Sequence, residues 1–306
     1  MRVLMISGDQ NVAREGTSAH ERFKLQAAQV ERLTLAIWPQ HFFKPFLVKG
    51  KFDVVTSQDP FWRGVVALLC SRLYKARLNI QVHADLDAQS LIKRLVARAV
   101  LVRADSVRVV SPRVRNQVES ITDAPVSELP IFVDVQRFAS LPRQPHPSFS
   151  KVILWVGRFE EEKDPLLALE VVRKVREAGI DAGLVLLGKG SLTNAMHARA
   201  LSLGVASHVE FAGWQDPVKR LGQADVVLCT SQAESYGASI IEALAAGVPV
   251  VAPDVGLAGE AGALITEREM LAQKTIEVLR GNMKGKLLLL LPDAQTWAKE
   301  WRETLN

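Results

Sequence analysis

The sequence predicts two doubly wound α/β domains, and three observations carry that prediction. Short aliphatic runs alternate with helix-length amphipathic segments in both halves, the pattern of parallel sheets covered by helices. Residues 139–150 hold three prolines and three serines without periodicity and read as a linker. Charge divides at the same place. Residues 1–150 carry 21 Lys and Arg against 13 Asp and Glu, or +8, and the rest carries 17 against 20, or −3, which sum to the formal +5.

In the first half, strands are expected at 2–6, 33–38, 53–56, 78–82, 106–110 and 126–129, with helices at 19–30, 62–74, 88–102 and 112–120. The last helix opens on Pro112, which a first turn tolerates. The second half restarts with strands at 152–156, 183–187, 209–211, 225–229, 248–252 and 263–265. Its helices are expected at 165–178, 192–203, 217–223, 238–246 and 267–280. A last helix at 293–305 puts Trp297 and Trp301 on one apolar stripe, expected to pack back toward the first domain. The expected division is 1–140, 151–290, and a terminal segment 291–306.

At 306 residues, 48% apolar and 23% charged, the composition excludes disordered, collagenous and coiled-coil chains. No repeat of 20–50 residues is present, which excludes solenoids and propellers. Cys70 and Cys229 lie in apolar runs and read as reduced and buried. The amino terminus is too short in apolar length for a signal peptide. The longest aliphatic run, Leu287 to Leu291, is far below the roughly 20 residues that span a bilayer. A cytoplasmic chain is expected. A pI of about 9.3 fits nucleic acid, but no recognised binding module accompanies it, so no nucleic-acid partner is expected. No His/Cys cluster has zinc spacing.

The most informative stretch runs from Glu234 through Gly237 and Glu242 to Gly247-Val-Pro249-Val. A buried strand, an exit loop and a helix of small residues would leave the amides of Gly237, Ala238 and Ser239 as donors at a positive helix end, suited to a phosphate. Glu234 lies just outside that end and Glu242 about one and a half turns after Gly237, so both acids flank the same position.

This stretch resembles the donor-binding segment of family-four retaining glycosyltransferases (glycosyl transferases group 1) of the GT-B fold. The resemblance implies that Glu234 contacts the transferred sugar and Glu242 the nucleotide ribose. Val156-Gly157-Arg158-Phe-Glu-Glu-Glu-Lys163 is similar to the family's diphosphate clamp, implying Arg158 and Lys163 on the leaving group, whose negative charge they would stabilise. The plainer reading is that these two bases neutralise Glu160–Glu162.

Leu186-Leu-Gly188-Lys-Gly190 and Val209-Glu-Phe-Ala-Gly213-Trp214 resemble the turn and loop that receive ribose and base. A tight turn explains the glycines as well, and core packing is the common fate of a tryptophan.

In the first half, Arg14-Glu-Gly16-Thr17 is similar to the family's glycine-rich loop near the donor phosphates, with one of its paired glycines. His83, at a strand's carboxyl end, matches the family's sugar-contacting histidine. Gln58 and Asp59 should line the acceptor side. Asp85-Leu-Asp87 also admits an Asp-x-Asp metal reading, set aside because Arg158 and Lys163 would already do an ion's electrostatic work. Leu129-Pro-Ile-Phe-Val-Asp134-Val-Gln-Arg-Phe138 resembles the family's domain junction, with Ile131 and Phe132 in place of an Asn-Gly turn.

The resemblance runs from about residue 1 to 280, in a chain short for the family, with the deficit in the first domain. It implies a retaining, metal-independent transferase that takes a sugar from a nucleoside diphosphate, UDP ahead of GDP. The nucleotide-sugar is its co-substrate, no cofactor is required, and the acceptor is unnamed, a lipid-linked or cell-envelope glycan. A nucleotide-sugar 2-epimerase and a non-catalytic sugar-nucleotide-binding protein are the rivals on the same fold.

Residues 91–115 hold seven Lys and Arg and one acid, and Lys44, Lys49 and Lys51 border Phe42, Phe43 and Phe46. Two readings stand: an ordinary basic surface, or peripheral docking on anionic lipid of the inner membrane face, giving access to a lipid-linked acceptor.

Overall fold

A computed structural model describes every residue except 40–42, 140 and 282, so Phe42 lies outside the described residues. The chain divides into two units, one of residues 1–132 and 291–306, the other of residues 133–290.

The first unit runs β1 (Arg2–Ser7), α1 (Ser18–Ala27), β2 (Arg32–Ile37), α2 (Lys44–Leu47), β3 (Val54–Ser57) and α3 (Trp62–Tyr74). It continues through β4 (Arg77–Val82), α4 (Leu91–Leu101), β5 (Ser106–Val109), α5 (Pro112–Glu119) and β6 (Val126–Glu128). All strands pair in parallel in the order β2-β1-β3-β4-β5-β6, with Val3 opposite both Leu33 and Val54. Helices on both faces explain why β1, β3 and β4 are buried almost throughout, β1 as an aliphatic run and β4 with Asn79 and Gln81 among its buried residues. Thr17 caps α1 by accepting from the His20 amide, and Ser111 caps α5 ahead of Pro112.

The second unit runs β7 (Lys151–Val156), α6 (Pro165–Glu177), β8 (Ala182–Leu187), α7 (Thr193–Ser202), β9 (Val209–Gly213) and α8 (Val218–Leu221). Then come β10 (Val226–Leu228), α9 (Ala238–Ala245), β11 (Val250–Ala252), α10 (Ala258–Ala261), β12 (Leu264–Ile265) and α11 (Leu271–Arg280). Its parallel order is β12-β11-β10-β7-β8-β9. The strand order therefore reverses between β7 and β10, and in the first unit between β1 and β3. In such sheets, ligands bind outside the strand carboxyl ends at the reversal.

The closing helix, α12 (Ala294–Glu303), belongs to the first unit. Trp297, Trp301 and Leu305 are buried with Val3, Met5, Val54 and Leu129. The Trp297 indole donates to Pro130 O at 2.8 Å, and the buried Arg108 guanidinium lies 5.5 Å from its ring centroid. Beneath it a polar ladder crosses the sheet. Arg108 donates to Gln81, Gln81 to Thr56 and Thr56 to Asn79, and the Asn79 amide reaches Thr304 O at 2.8 Å.

Residues 139–150, expected as a linker, are held against the second unit where described. Arg143 donates to the Asp225 carboxylate at 2.6 Å, and His146 Nε2 lies 2.9 Å from Glu210 with its ring stacked on Phe149. The division falls at Phe132/Val133 instead. Proline removes a backbone donor and favours extended chain, which suits a strap along a surface as well as a free tether. The helix expected from Ala88 starts at Leu91, because the Asp85 carboxylate accepts from the amides of Asp87 and Ala88 and closes a turn there.

Cys70 and Cys229 are buried and free. Among the described residues, no helix is long and apolar enough to cross a membrane.

Candidate functional site

The carboxyl ends of β7 and β10 flank the reversal in the second sheet, and the loops that leave them are stitched together. After β7 the chain turns through Gly157 and Arg158 into a short 3-10 turn, Glu161–Lys163. Asp164 follows in the left-handed region, φ +42°, and caps α6 by accepting from the Leu167 amide at 3.3 Å. From the β10 side, the Thr230 hydroxyl donates to Lys163 O at 2.8 Å and accepts from the Trp155 indole at 2.9 Å. The Gln232 amide donates to Glu162 O at 2.9 Å, and Arg268 ties Thr230 O to the Asp164 carboxylate.

On this frame Lys163 and Glu234 form an ion pair, and the Ser231 hydroxyl donates to the same carboxylate oxygen at 2.8 Å. Their side chains are only 20% and 14% exposed, so their attraction is screened less than that of a surface pair. Gly256 lets the Glu234 loop lie close: a Cβ there would sit 2.8 Å from Tyr236 O and 3.0 Å from Glu234 Cβ. The loop ends at Gly237, whose φ of +89° starts α9 and which brings no capping side chain to the first-turn amides. Ala238 and Ser239 form that first turn, and the half-buried Glu242 follows one turn later.

The second unit thus brings Lys163, Glu234 and Gly237 to one place. Arg158 is 62% exposed and pairs with Glu162 at 2.5 Å, as the plainer reading has it. Lys163 does not neutralise Glu160–Glu162; it turns to Glu234, while Glu160 accepts from Ser191. Accepting two hydrogen bonds from Ser191 holds the Glu160 carboxyl below its usual range.

Gly188 and Gly190 have a structural reason to be glycine. A Cβ at Gly188 would lie 1.8 Å from Gly157 O, and one at Gly190 2.4 Å from Phe159 O. Gly213, φ +70°, turns the chain after β9 and accepts from the Gly188 amide at 2.9 Å. Trp214 beyond it is 60% exposed, so core packing does not explain it.

In the first unit, Gln58 accepts from the Ser7 hydroxyl across the β1/β3 reversal. Asp59 is occupied by Arg63 at 2.6 Å and the Phe61 amide at 2.9 Å. Gly16 is exposed, with φ +77° and open space around it. His83 follows β4 with Nε2 buried and without a hydrogen-bond partner among the described residues. Desolvation first, then the charges of Arg108 and Arg22, push its imidazole well below the ordinary value, so it is neutral at neutral pH. Gln117 Nε2 bridges Asp85 and Asp87 at 2.8 and 2.9 Å. Among the described residues no three of His, Cys, Asp or Glu group as metal ligands.

Sequence reasoning missed Ser231, Thr230, Asp164, Arg268 and Gly256. Thr230 and Ser231 carried a signal in their position just past a buried strand, and Asp164 in its place before Pro165 at a helix start; Arg268 and Gly256 act from loops distant in sequence.

Residues 137–284 match the model of the family described as glycosyl transferases group 1. The second unit is a glycosyl transferases group 1 domain. Relatives include the lipopolysaccharide core biosynthesis glycosyltransferase LpsE of Rhizobium meliloti, 38% identical over 106 residues, which cover 34% of this chain and 30% of that protein. Phosphatidyl-myo-inositol mannosyltransferase of Mycobacterium leprae is 29% identical over 170 residues, covering 51% of this chain and 45% of that one. The chain thus matches less than half the length of either relative.

The fold is GT-B. HepE of Anabaena, solved with UDP-glucose, superposes with a TM-score of 0.75 at 16% identity, covering 100% of this chain and 96% of that one. Sucrose-phosphate synthase of Thermosynechococcus elongatus gives 0.74 at 17% identity, covering 100% and 94%.

Proposed function

We propose that the chain is a retaining glycosyltransferase that takes a sugar from a nucleoside diphosphate, UDP in preference to GDP, and needs neither metal nor cofactor. The observation that carries this reading is the Lys163–Glu234 pair at the sheet reversal, ahead of the Gly237 start of α9. An anionic diphosphate entering there competes with Glu234 for Lys163. Once Lys163 turns to the diphosphate, the Glu234 carboxylate is released to accept from a hydroxyl of the donor sugar.

As the bond between the anomeric carbon and the diphosphate oxygen breaks, charge builds on the leaving group. Lys163, Arg158 and the first-turn amides of α9 at Gly237, Ala238 and Ser239 stabilise it. Glu242 accepts from ribose hydroxyls, and Trp214 stacks on the base beside Gly188, Gly190 and Gly213; the family resemblance assigns Gly16 to the donor phosphates. Neutral His83 hydrogen-bonds the transferred sugar, and Gln58 and Asp59 line the acceptor side. The acceptor oxygen attacks the face that the diphosphate leaves, and the departing phosphate oxygen takes the acceptor's proton, so the anomeric configuration is kept.

The names of the lipopolysaccharide and phosphatidylinositol relatives and the UDP-glucose bound to HepE support a UDP-sugar and a cell-envelope or lipid-linked acceptor. The basic first half supports peripheral work at an anionic membrane.

Thermal shift with UDP, GDP and their sugars tests the donor. Stabilisation by UDP-sugars that Lys163→Ala and Glu242→Ala abolish is expected, and unchanged donor affinity in both variants would overturn the site. Incubation with donor alone separates the rival epimerase, which converts it, from a transferase, which at most hydrolyses it slowly.

A further inference from the structure

Helix α4 carries two apolar faces. Ala97, Val100 and Leu101 are buried inward, as an amphipathic surface helix requires. At about 3.6 residues per turn, Leu91, Leu95 and Val102 fall on the opposite side. They are 70%, 59% and 48% exposed, and Ile92 beside them is 68% exposed. The outer face of a surface helix is ordinarily polar, and a contiguous apolar patch there marks a contact surface.

The charges around the stripe say what it contacts. Arg94 and Arg98 lie along one flank and Arg103 on the other, and no acid occurs between Ala88 and Ala104. Between α4 and α5 a groove of about 570 Å³ opens, with Leu91, Leu95 and Ile121 beside Arg94 and Arg98. Asp87 also lines it, 3.7 Å from Arg94. The neighbouring helix α3, packed on α4, adds exposed Leu69 and Leu73 with Arg72 and Lys75, in a stretch from Pro60 to Ala84 that also lacks acids. Apolar side chains at the centre and a rim with more cations than acids complement the acyl boundary and phosphates of an anionic bilayer.

We propose that the outer face of α4, with the groove it shares with α5, is a docking site for anionic phospholipid. Leu91, Ile92 and Leu95 enter the acyl boundary, and Arg94, Arg98 and Arg103 hold headgroup phosphates. This names the partner surface for the membrane-borne acceptor proposed above and rests on that part of the reading, while its own observations are independent of the donor site.

Flotation of the whole chain with phosphatidylcholine vesicles, against phosphatidylcholine–phosphatidylglycerol mixtures, tests it. Binding to the anionic vesicles alone is expected, weakened roughly fivefold for each arginine removed in R94Q/R98Q/R103Q. Part of that binding should persist at ~1 M salt, where the screening length is only ~3 Å, and that part should vanish in L91S/I92S/L95S. All six side chains are exposed, so unchanged circular dichroism and melting are expected of both variants.

Equal binding to both vesicle types, variants that bind like the parent, or binding wholly abolished by salt would each overturn the proposal. So would self-association of the parent that L91S/I92S/L95S abolishes, because a second copy would then cover the face. Loss of nucleotide-induced thermal shift with flotation intact would sink the donor reading alone; the reverse result would sink this one alone.

Discussion

Lys163 and Glu234, 71 positions apart, meet as an ion pair where the strand order of the second sheet reverses. One comes from the loop after β7 and the other from the loop after β10, so the pair spans the two strands that define the reversal. A site arranged this way holds its cation and its acid ready but mutually occupied. In the proposed reading, an anion that takes Lys163 leaves the Glu234 carboxylate with Ser231.

The pair should be visible in stability as well as in binding. Lys163→Ala leaves the Glu234 carboxylate with Ser231 and without its cation, and is expected to cost about 1–3 kcal/mol in urea unfolding. Adding Glu234→Ala should recover part of that loss, with a coupling of about 1 kcal/mol or more. Simple additivity would show that the contact contributes no energy of its own.

Two glycines expected at the donor, Gly16 by the phosphates and Gly188 by the ribose and base, separate on substitution. Gly188→Ala must push a methyl against Gly157 O and is expected to lower the melting temperature severely, with or without nucleotide. Gly16→Ala meets no atom and incurs only the left-handed backbone, about 1–2 kcal/mol. If Gly188→Ala melts like the parent, the close approach of the β7 and β8 loops is wrong.

Trp214→Ala removes an exposed side chain, so its melting temperature should match the parent's. A stacked base would be worth about 1–3 kcal/mol, roughly 10- to 100-fold in nucleotide affinity by titration calorimetry. Unchanged affinity would remove Trp214 from the site.

The two buried tryptophans of α12 should answer differently to the same change. Trp297→Phe loses the 2.8 Å bond to Pro130 O and is expected to cost about 1–3 kcal/mol. Trp301 Nε1 is buried with no hydrogen-bond partner among the described residues, so Trp301→Phe should stay within about 1 kcal/mol of the parent. Urea unfolding of the two variants compares them directly.

His83 gives stability a pH dependence of known sign. Its folded imidazole titrates well below the ordinary value, so below about pH 6.5 the unfolded chain binds a proton that the folded chain refuses. Stability should fall from pH 7 to pH 5, by at most about 1.4 kcal/mol per pH unit for this group. His83→Gln should flatten that slope; an identical slope would mean other groups cause it.

Strand and helix positions were legible because two covered faces force aliphatic runs on the strands and helical periodicity on their connections. Trp62–Tyr74 was expected at the helix boundaries it has, whereas the helix before Val102 was expected three residues early. Its start depends on an Asp85 turn and on Gln117, 32 positions from Asp85. The Glu234 segment stood out through its glycine and small residues. That Lys163 would face Glu234 rather than its acidic neighbours was not legible, since it depends on Thr230 and Gln232 holding the two loops in register. Gly188 was read for a ligand, but its own backbone neighbour already requires a glycine there.

The polar ladder under the first sheet sets an order of assembly. Asn79 and Ser106 reach Thr304 O across 225 and 198 positions of sequence, and Trp297 closes over Arg108 from the same late segment. During synthesis, residues 133–290 leave the ribosome with every strand of their own sheet present, while the earlier-made first sheet still waits for α12. The half made first is thus the half completed last. Until α12 arrives, Val3, Met5, Val54 and Leu129 lack the tryptophans that bury them.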